Sequence, residues 1–388
     1  MSEPNDTEKP SSILSKPSSE RPEGEIEVVN GHKHSNSGTS LHNAQGWDGK
    51  LRVEKRAVLV NPEVLDGYVS DAEDSDEDAV KVDQIEADED LTADLEDDIE
   101  EIDLVHCRIN SIPALKLERF TKVQRLCLRQ NQIQEVELPS NLAPHLTELD
   151  LYDNLIAHVK GFDDLAELTS LDLSFNKIKH IKRVDHLKKL KDIYFVANKI
   201  SKIENLEGLT SLKNLELGGN RIRTIEGLDT LTSLEQLWLG KNKINELSNL
   251  NSLSNLKILS IQSNRLRSIS SLQNLINLEE LHISHNALTS LDGLNSNTNL
   301  RVIDISANPI DHLTSLETLS QLEELWASWC KLDSFDEVEK QLGDKENLET
   351  VYFEGNPLQI KNQVLYRNKI KLALPRIKQI DATFVKVS

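Results

Sequence analysis

Asp172, Tyr194, Glu216 and Trp238 stand 22 residues apart, and Asp304 and Trp326 keep the same spacing, with Tyr352 closing the series. The full row at this position reads Asp103, Cys127, Asp150, Asp172, Tyr194, Glu216, Trp238, Ser260, His282, Asp304, Trp326 and Tyr352. Two residues earlier the same period supplies Glu148, Asp192, Glu280 and Glu324, and three residues later it supplies Asp153, Phe175 and Trp329, with Glu354 beside them. Carboxylates in such numbers invite an acid–base mechanism, but that chemistry needs a closed pocket holding two of them at a set separation. Groups repeated at one fixed interval line an open surface instead. Indoles and phenols among carboxylates are the composition of a protein-binding hot spot. Arg125, Arg129 and Lys241 are the bases at these positions. An acidic face of this kind repels phosphate backbones, which argues against nucleic acid, and attracts a basic protein surface in a salt-sensitive way. The chain has no glycine-rich phosphate loop, no G-x-S-x-G and no C-x-x-C, so no enzyme activity and no cofactor are expected.

The elements that must position this row are legible from the frame around it. Leu212-Lys-Asn-Leu-Glu-Leu-Gly-Gly-Asn-Arg-Ile222 is followed by Leu234-Glu-Gln-Leu-Trp-Leu-Gly-Lys-Asn-Lys-Ile244 and then by Leu256-Lys-Ile-Leu-Ser-Ile-Gln-Ser-Asn-Arg-Leu266. This L-x-x-L-x-L-x-x-N-x-I frame is the signature of a leucine-rich-repeat solenoid. Leu215 and Leu217 are two apart and point to one face of a strand, while Asn214, Glu216 and Gly218 point to the other. A single coil cannot bury its leucines, but a stack can, at about 1.5–3 kcal/mol for each fully buried Leu or Ile. The recurrent Asn is expected inside the coil, where its amide satisfies backbone groups of the turn. Its position is held by Cys107, Asn131, Asn154, Asn176, Asn198, Asn220, Asn242, Asn264, Asn286, Asn308, Cys330 and Asn356. The predicted fold is therefore an α/β repeat, a horseshoe of about twelve 22-residue coils, with a parallel concave sheet and short 3-10 or extended convex returns. The spacing Ile200, Ile203, Leu206, Leu209 marks such a return. Residues 99–342 form the solenoid and residues 343–388 the last coil and a C-terminal cap, with a helix over Val364–Leu374 stopped by Pro375 and a short strand over Arg376–Asp381.

The formal net charge of −21 is concentrated ahead of the repeats. Residues 1–98 are rich in Ser, Pro, Glu and Asp and are expected to be disordered, and residues 63–103 carry 20 acids against Lys81 alone. Ser70 and Ser75, each followed by acidic residues, are candidate phosphorylation sites for an acidophilic kinase. His32, His34 and His42 lack a cysteine partner and suggest no metal site. Cys107 and Cys330 are expected as buried ladder thiols and Cys127 as a thiol on the exposed strand face, with no disulfide among them. Met1-Ser-Glu-Pro-Asn-Asp lacks the features of a secretory signal, and no apolar run reaches the roughly 18 residues that a membrane span needs. A soluble intracellular protein is expected.

The regular coils, the acidic leader, the row of acids and aromatics, and the Tyr366-Arg-Asn-Lys-Ile370…Leu374-Pro-Arg-Ile377 segment together resemble the leucine-rich-repeat regulatory subunits of protein phosphatase 1, over residues 99–388. The resemblance implies a non-catalytic subunit that binds the serine/threonine phosphatase catalytic subunit through its concave face. It also implies control of the phosphatase's maturation, location or activity, including in mitosis, in the nucleus with some in the cytoplasm. A small inhibitory third subunit often joins such complexes. The positions it singles out as partner-binding are Asp172, Tyr194, Glu216, Trp238, Asp304, Glu324, Trp326 and Tyr352. The short basic-Val-x-aromatic docking sequence of many phosphatase regulators is missing, since Lys122-Val-Gln-Arg125 and Arg301-Val-Ile-Asp304 lack the aromatic. A splicing-type or cytoskeletal leucine-rich-repeat adaptor would use the same scaffold without requiring that row.

Overall fold

The computed structural model describes residues 91–386. Ser70, Ser75, the three N-terminal histidines and most of the acidic run lie outside them. Twelve three-residue strands run parallel in chain order, each hydrogen-bonded to the next. They are β1 (Glu101–Asp103), β2 (Arg125–Cys127), β3 (Glu148–Asp150), β4 (Ser170–Asp172), β5 (Asp192–Tyr194), β6 (Asn214–Glu216), β7 (Gln236–Trp238), β8 (Ile258–Ser260), β9 (Glu280–His282), β10 (Val302–Asp304), β11 (Glu324–Trp326) and β12 (Thr350–Tyr352). The middle residue of every strand faces a single continuous core, and both Leu215 and Leu217 have no exposed surface.

The asparagine ladder works as a buried amide should. Asn220 accepts the Ile200 N–H of the preceding coil at 2.9 Å and donates to Phe195 C=O of that coil at 2.8 Å and to its own Leu217 C=O at 3.0 Å. The acceptor bond to the preceding coil recurs from Asn131 to Asn308 and again at Asn356. Each amide therefore closes its own turn and bolts it to its neighbour. Cys330 substitutes part of this, donating to Ile305 C=O at 3.4 Å. A thiol has one weak donor where the amide has two strong ones.

Of the two expected forms of return, 3-10 and extended, the second predominates. Among the described residues 3-10 geometry is confined to Pro113–Leu115 and Leu117–Arg119 in the first coil. Later returns are chains of single turns, such as Leu209 N–H to Leu206 C=O at 3.2 Å and Leu212 N–H to Leu209 C=O at 3.0 Å. One bond per three residues is what a spacing-of-three leucine pattern needs to keep every leucine pointing inward.

Both ends of the stack are closed. Residues 91–98 fold over the first coil, where Thr92 is fully buried and donates to Leu115 C=O, and Arg119 bonds Leu95 C=O and Asp97. At the other end, helix α1 (Phe335–Leu342) is inserted before β12, which accounts for the longer last step of the period. Ser334 caps it by accepting Glu337 N–H. A short helix α2 (Pro357–Ile360), helix α3 (Tyr366–Ala373) and strands β13 (Gln379–Ile380) and β14 (Thr383–Phe384) form the cap. β13 pairs parallel to β12, and β14 turns back antiparallel, which the sequence does not announce. Asp381 locks this end by accepting Phe353 N–H, Glu354 N–H and the Tyr366 hydroxyl at 2.8–3.0 Å.

Candidate functional site

The last residue of each strand points out of the core, and register brings these residues into one row. Asp150, Asp172, Tyr194, Glu216, Trp238, Ser260, His282, Asp304, Trp326 and Tyr352 are successive partners across the sheet. All eight candidate residues thus share one face, with Glu324 two positions before Trp326 on β11. The row divides into three parts with different electrostatics.

At β3–β6 it is acidic and partly desolvated. Arg129 pairs with Asp150 at 2.9 Å, reaches Asp172 at 3.9 Å and lies over the Tyr152 ring at 4.0 Å. Burial and the neighbouring Asp150 still lift the Asp172 carboxyl to about 6. Burial raises Asp192 to about 6 and Glu216 to about 7, and it pushes the Tyr194 phenol up as well. Asn214 donates to Glu216 at 3.4 Å, while its own Oδ1 is buried without a hydrogen-bond partner. Nothing in the sequence marks Asn214 as part of this cluster except its place two residues before Glu216.

In the middle, Trp238 is 4% and Glu216 7% exposed, where the sequence implies open side chains. Cys127, expected on the exposed face, is likewise buried at 4%, and burial pushes its thiol up to about 12. Strands about 4.8 Å apart bring outward side chains into lateral contact, so large residues flanked on both sides shield one another. Trp238 stands between Glu216 and Ser260 in register. Cys107, expected to be buried, is only half-buried in the first coil.

At β9–β12 the row is aromatic. Trp326 packs edge-on against Tyr352 at 5.8 Å and against His282 at 6.1 Å. The Trp326 indole N–H donates to Glu324 at 3.0 Å, and Gln379 of the cap donates to the Tyr352 hydroxyl at 2.7 Å. Trp326 and Tyr352 are half-buried, so a rigid, oriented aromatic ridge remains accessible. Asp150, Asp172 and Asp304 also have a local task, each accepting the backbone N–H two residues on at 2.8–3.0 Å. That bond turns the chain at the strand end, a use of aspartate that the row alone does not reveal.

The flank of the sheet is different. Lys213 and Lys257 both pair with Glu235 at 2.8 Å, and Arg301 grips Glu323 through two 2.8 Å bonds. The shallow groove there is lined by these charges and by Asn255, Asn277 and Asn299, and it lies apart from the row.

Residues 210–252, 254–296 and 276–320 match the family model described as leucine-rich repeats. The Schizosaccharomyces pombe protein phosphatase 1 regulatory subunit SDS22 is 53% identical over 87 residues, covering 22% of this chain and 25% of that protein. Its Saccharomyces cerevisiae counterpart is 48% identical over 98 residues, covering 23% and 29%. Human protein phosphatase 1 regulatory subunit 7 is 56% identical over 46 residues, covering 12% of each chain. The matches thus span about a quarter of the yeast relatives' length. Among solved structures, an internalin from Listeria monocytogenes aligns with a TM-score of 0.59 at 22% identity, covering 74% of this chain and 88% of that one, a likeness of fold alone.

Proposed function

From the premise that this leucine-rich-repeat chain is a relative of the regulatory subunits of protein phosphatase 1, we infer that it is itself a non-catalytic subunit of that phosphatase. The catalytic subunit docks on the outward face of the sheet. The observation that carries this is the row itself, because one uninterrupted register sets a desolvated acidic cluster at β4–β6 and a braced aromatic ridge at β11–β12 on the same side. Removing charge from water is unfavourable for the free protein, so a cationic group brought against Asp172, Asp192 and Glu216 regains what burial cost them. Trp326 and Tyr352 are held by Glu324, His282 and Gln379, so little side-chain entropy remains to be lost on docking. Asp304 belongs to the same face but is partly committed to its own turn.

The relatives' names support the phosphatase as partner. Control of its maturation, location or activity, a role in mitosis, a nuclear site with some cytoplasmic protein, and a small inhibitory third subunit follow from the resemblance and belong to the same proposal. Co-purification tests it against a general adaptor role. The tagged wild-type chain is expected to retain the catalytic subunit, and Glu216→Ala with Trp326→Ala to lose most of it. Full retention by the double variant places the docking surface elsewhere, and recovery of a splicing or cytoskeletal partner in place of the phosphatase favours the adaptor.

A further inference from the structure

Every coil turns from its strand into the ladder residue through one residue of left-handed backbone. The positions are His106, Gln130, Asp153, Phe175, Ala197, Gly219, Lys241, Ser263, His285, Ala307, Trp329 and Gly355, with φ between 54° and 76°. The ladder imposes this conformation, since the same residue donates its N–H to the next coil, as Phe175 does to Val196 C=O and Trp329 to Glu354 C=O, both at 2.7 Å. Glycine adopts it freely and bulky side chains do so unwillingly. Yet two of the largest side chains in the protein occupy it. Phe175 and Trp329 are also 45% and 58% exposed, so neither compensates by filling the core. A strained, exposed aromatic is the kind of outlier from which a functional role is argued.

Both rings are supported from below. Phe175 packs at a tilt of 46° against Tyr152 with centroids 4.8 Å apart, and Tyr152 in turn carries the Arg129 guanidinium. The Trp329 indole lies on the bare backbone of Gly355, where a methyl group would meet the ring at 2.4 Å. Acids share this rim: Asp153 holds the same position one coil before Phe175, Asp172 lies three residues before it, and Glu354 accepts the Trp329 N–H through its backbone carbonyl. Each ring is therefore braced by a neighbour and still exposed, on a rim whose sequence is acidic, which suits a guanidinium or ammonium group.

We propose that Phe175 and Trp329 are two further docking posts, on the rim of the row, each taking a lysine or arginine of the same docked phosphatase surface. This rests on the docking face proposed above and extends it. The posts are seven strands apart, about 34 Å at the usual interstrand spacing, so the partner must span that length of rim. That span matches a folded protein rather than a short peptide lying across one or two strands.

Binding of the purified phosphatase catalytic subunit by Phe175→Gly, Trp329→Gly and their double variant, alongside melting temperatures, tests the proposal. Each single change is expected to weaken binding about fivefold or more, and the double about 25-fold, because posts so far apart act independently. Melting temperatures are expected to stay level or rise, since glycine relieves the backbone. Phe175→Asn and Trp329→Asn, which also accept this backbone, are the second set should a glycine variant fold poorly. Binding within twofold of wild type in all of them overturns the posts. Trp326→Ala separates the two levels. Weakening by Trp326→Ala alone removes the posts and keeps the face, whereas no effect from Trp326→Ala or from the rim variants removes the face as well.

Discussion

Glu216 is a carboxyl group placed where its charged form is disfavoured, and the consequence can be measured without any partner. Its proton is held up to about 7 by burial, and those of Asp172 and Asp192 up to about 6, against ordinary values near 4. At these three groups the folded protein therefore holds more protons than the unfolded chain between about pH 4 and pH 7, and their contribution to stability falls as pH rises through that window. Thermal melts of the free protein are expected to show this decline. Glu216→Gln is expected to flatten it and to raise the melting temperature at pH 7.5, while a wild-type melting temperature that climbs from pH 5 to pH 7.5 contradicts the desolvated cluster. At this scale the sequence was informative about position and silent about depth. A strict period of 22 places Asp172, Tyr194, Glu216 and Trp238 in one row by arithmetic alone. Whether Trp238 stands clear of its neighbours depends on the heights of Glu216 and Ser260 across the sheet, which no period encodes.

The coil is the unit of stability, and its amide is the most exacting part. Asn220→Ala leaves the Ile200 N–H of the neighbouring coil unpaired in the core and Phe195 C=O with only its bond from Asn198, at about 1–3 kcal/mol. Chemical denaturation is expected to find a loss of that size, and a loss near zero would mean that water replaces the amide. Asp381→Ala is expected to loosen the C-terminal end specifically, because one carboxylate ties two amides of the last coil to Tyr366 of α3. Hydrogen exchange should then quicken at Phe353 and Glu354 while the central coils keep their protection. The flank charges behave otherwise. Glu235 sits half-buried between two exposed lysines, and Glu235→Gln is expected to change stability by less than about 1 kcal/mol. The stacked coils could be read from L-x-x-L-x-L-x-x-N because burying the leucines and pairing the turn leave the chain no alternative. The inserted helix α1 and the hairpin of β13 and β14 were not legible for the opposite reason. They are short, occur once, and take their stability from packing on the last coil rather than from a period.

For the described residues as a whole, a one-dimensional stack gives a long open surface that holds side chains at regular intervals along twelve parallel strands. Charge and aromatic content are segregated along that length, so under the proposed docking different parts of one partner would be met by different physics. The acidic half favours fast, salt-sensitive encounter, and the aromatic half favours slow release. The direct test of the central claim is the dissociation constant of the purified protein phosphatase 1 catalytic subunit for this chain. Wild type is to be compared with Trp326→Ala and with Arg223→Ala, an exposed change on the return side of a coil. The docking face requires Trp326→Ala to weaken binding by about 2 kcal/mol, roughly 30-fold, and Arg223→Ala to leave it unchanged. Equal affinities for wild type and Trp326→Ala, or a loss confined to Arg223→Ala, would contradict it.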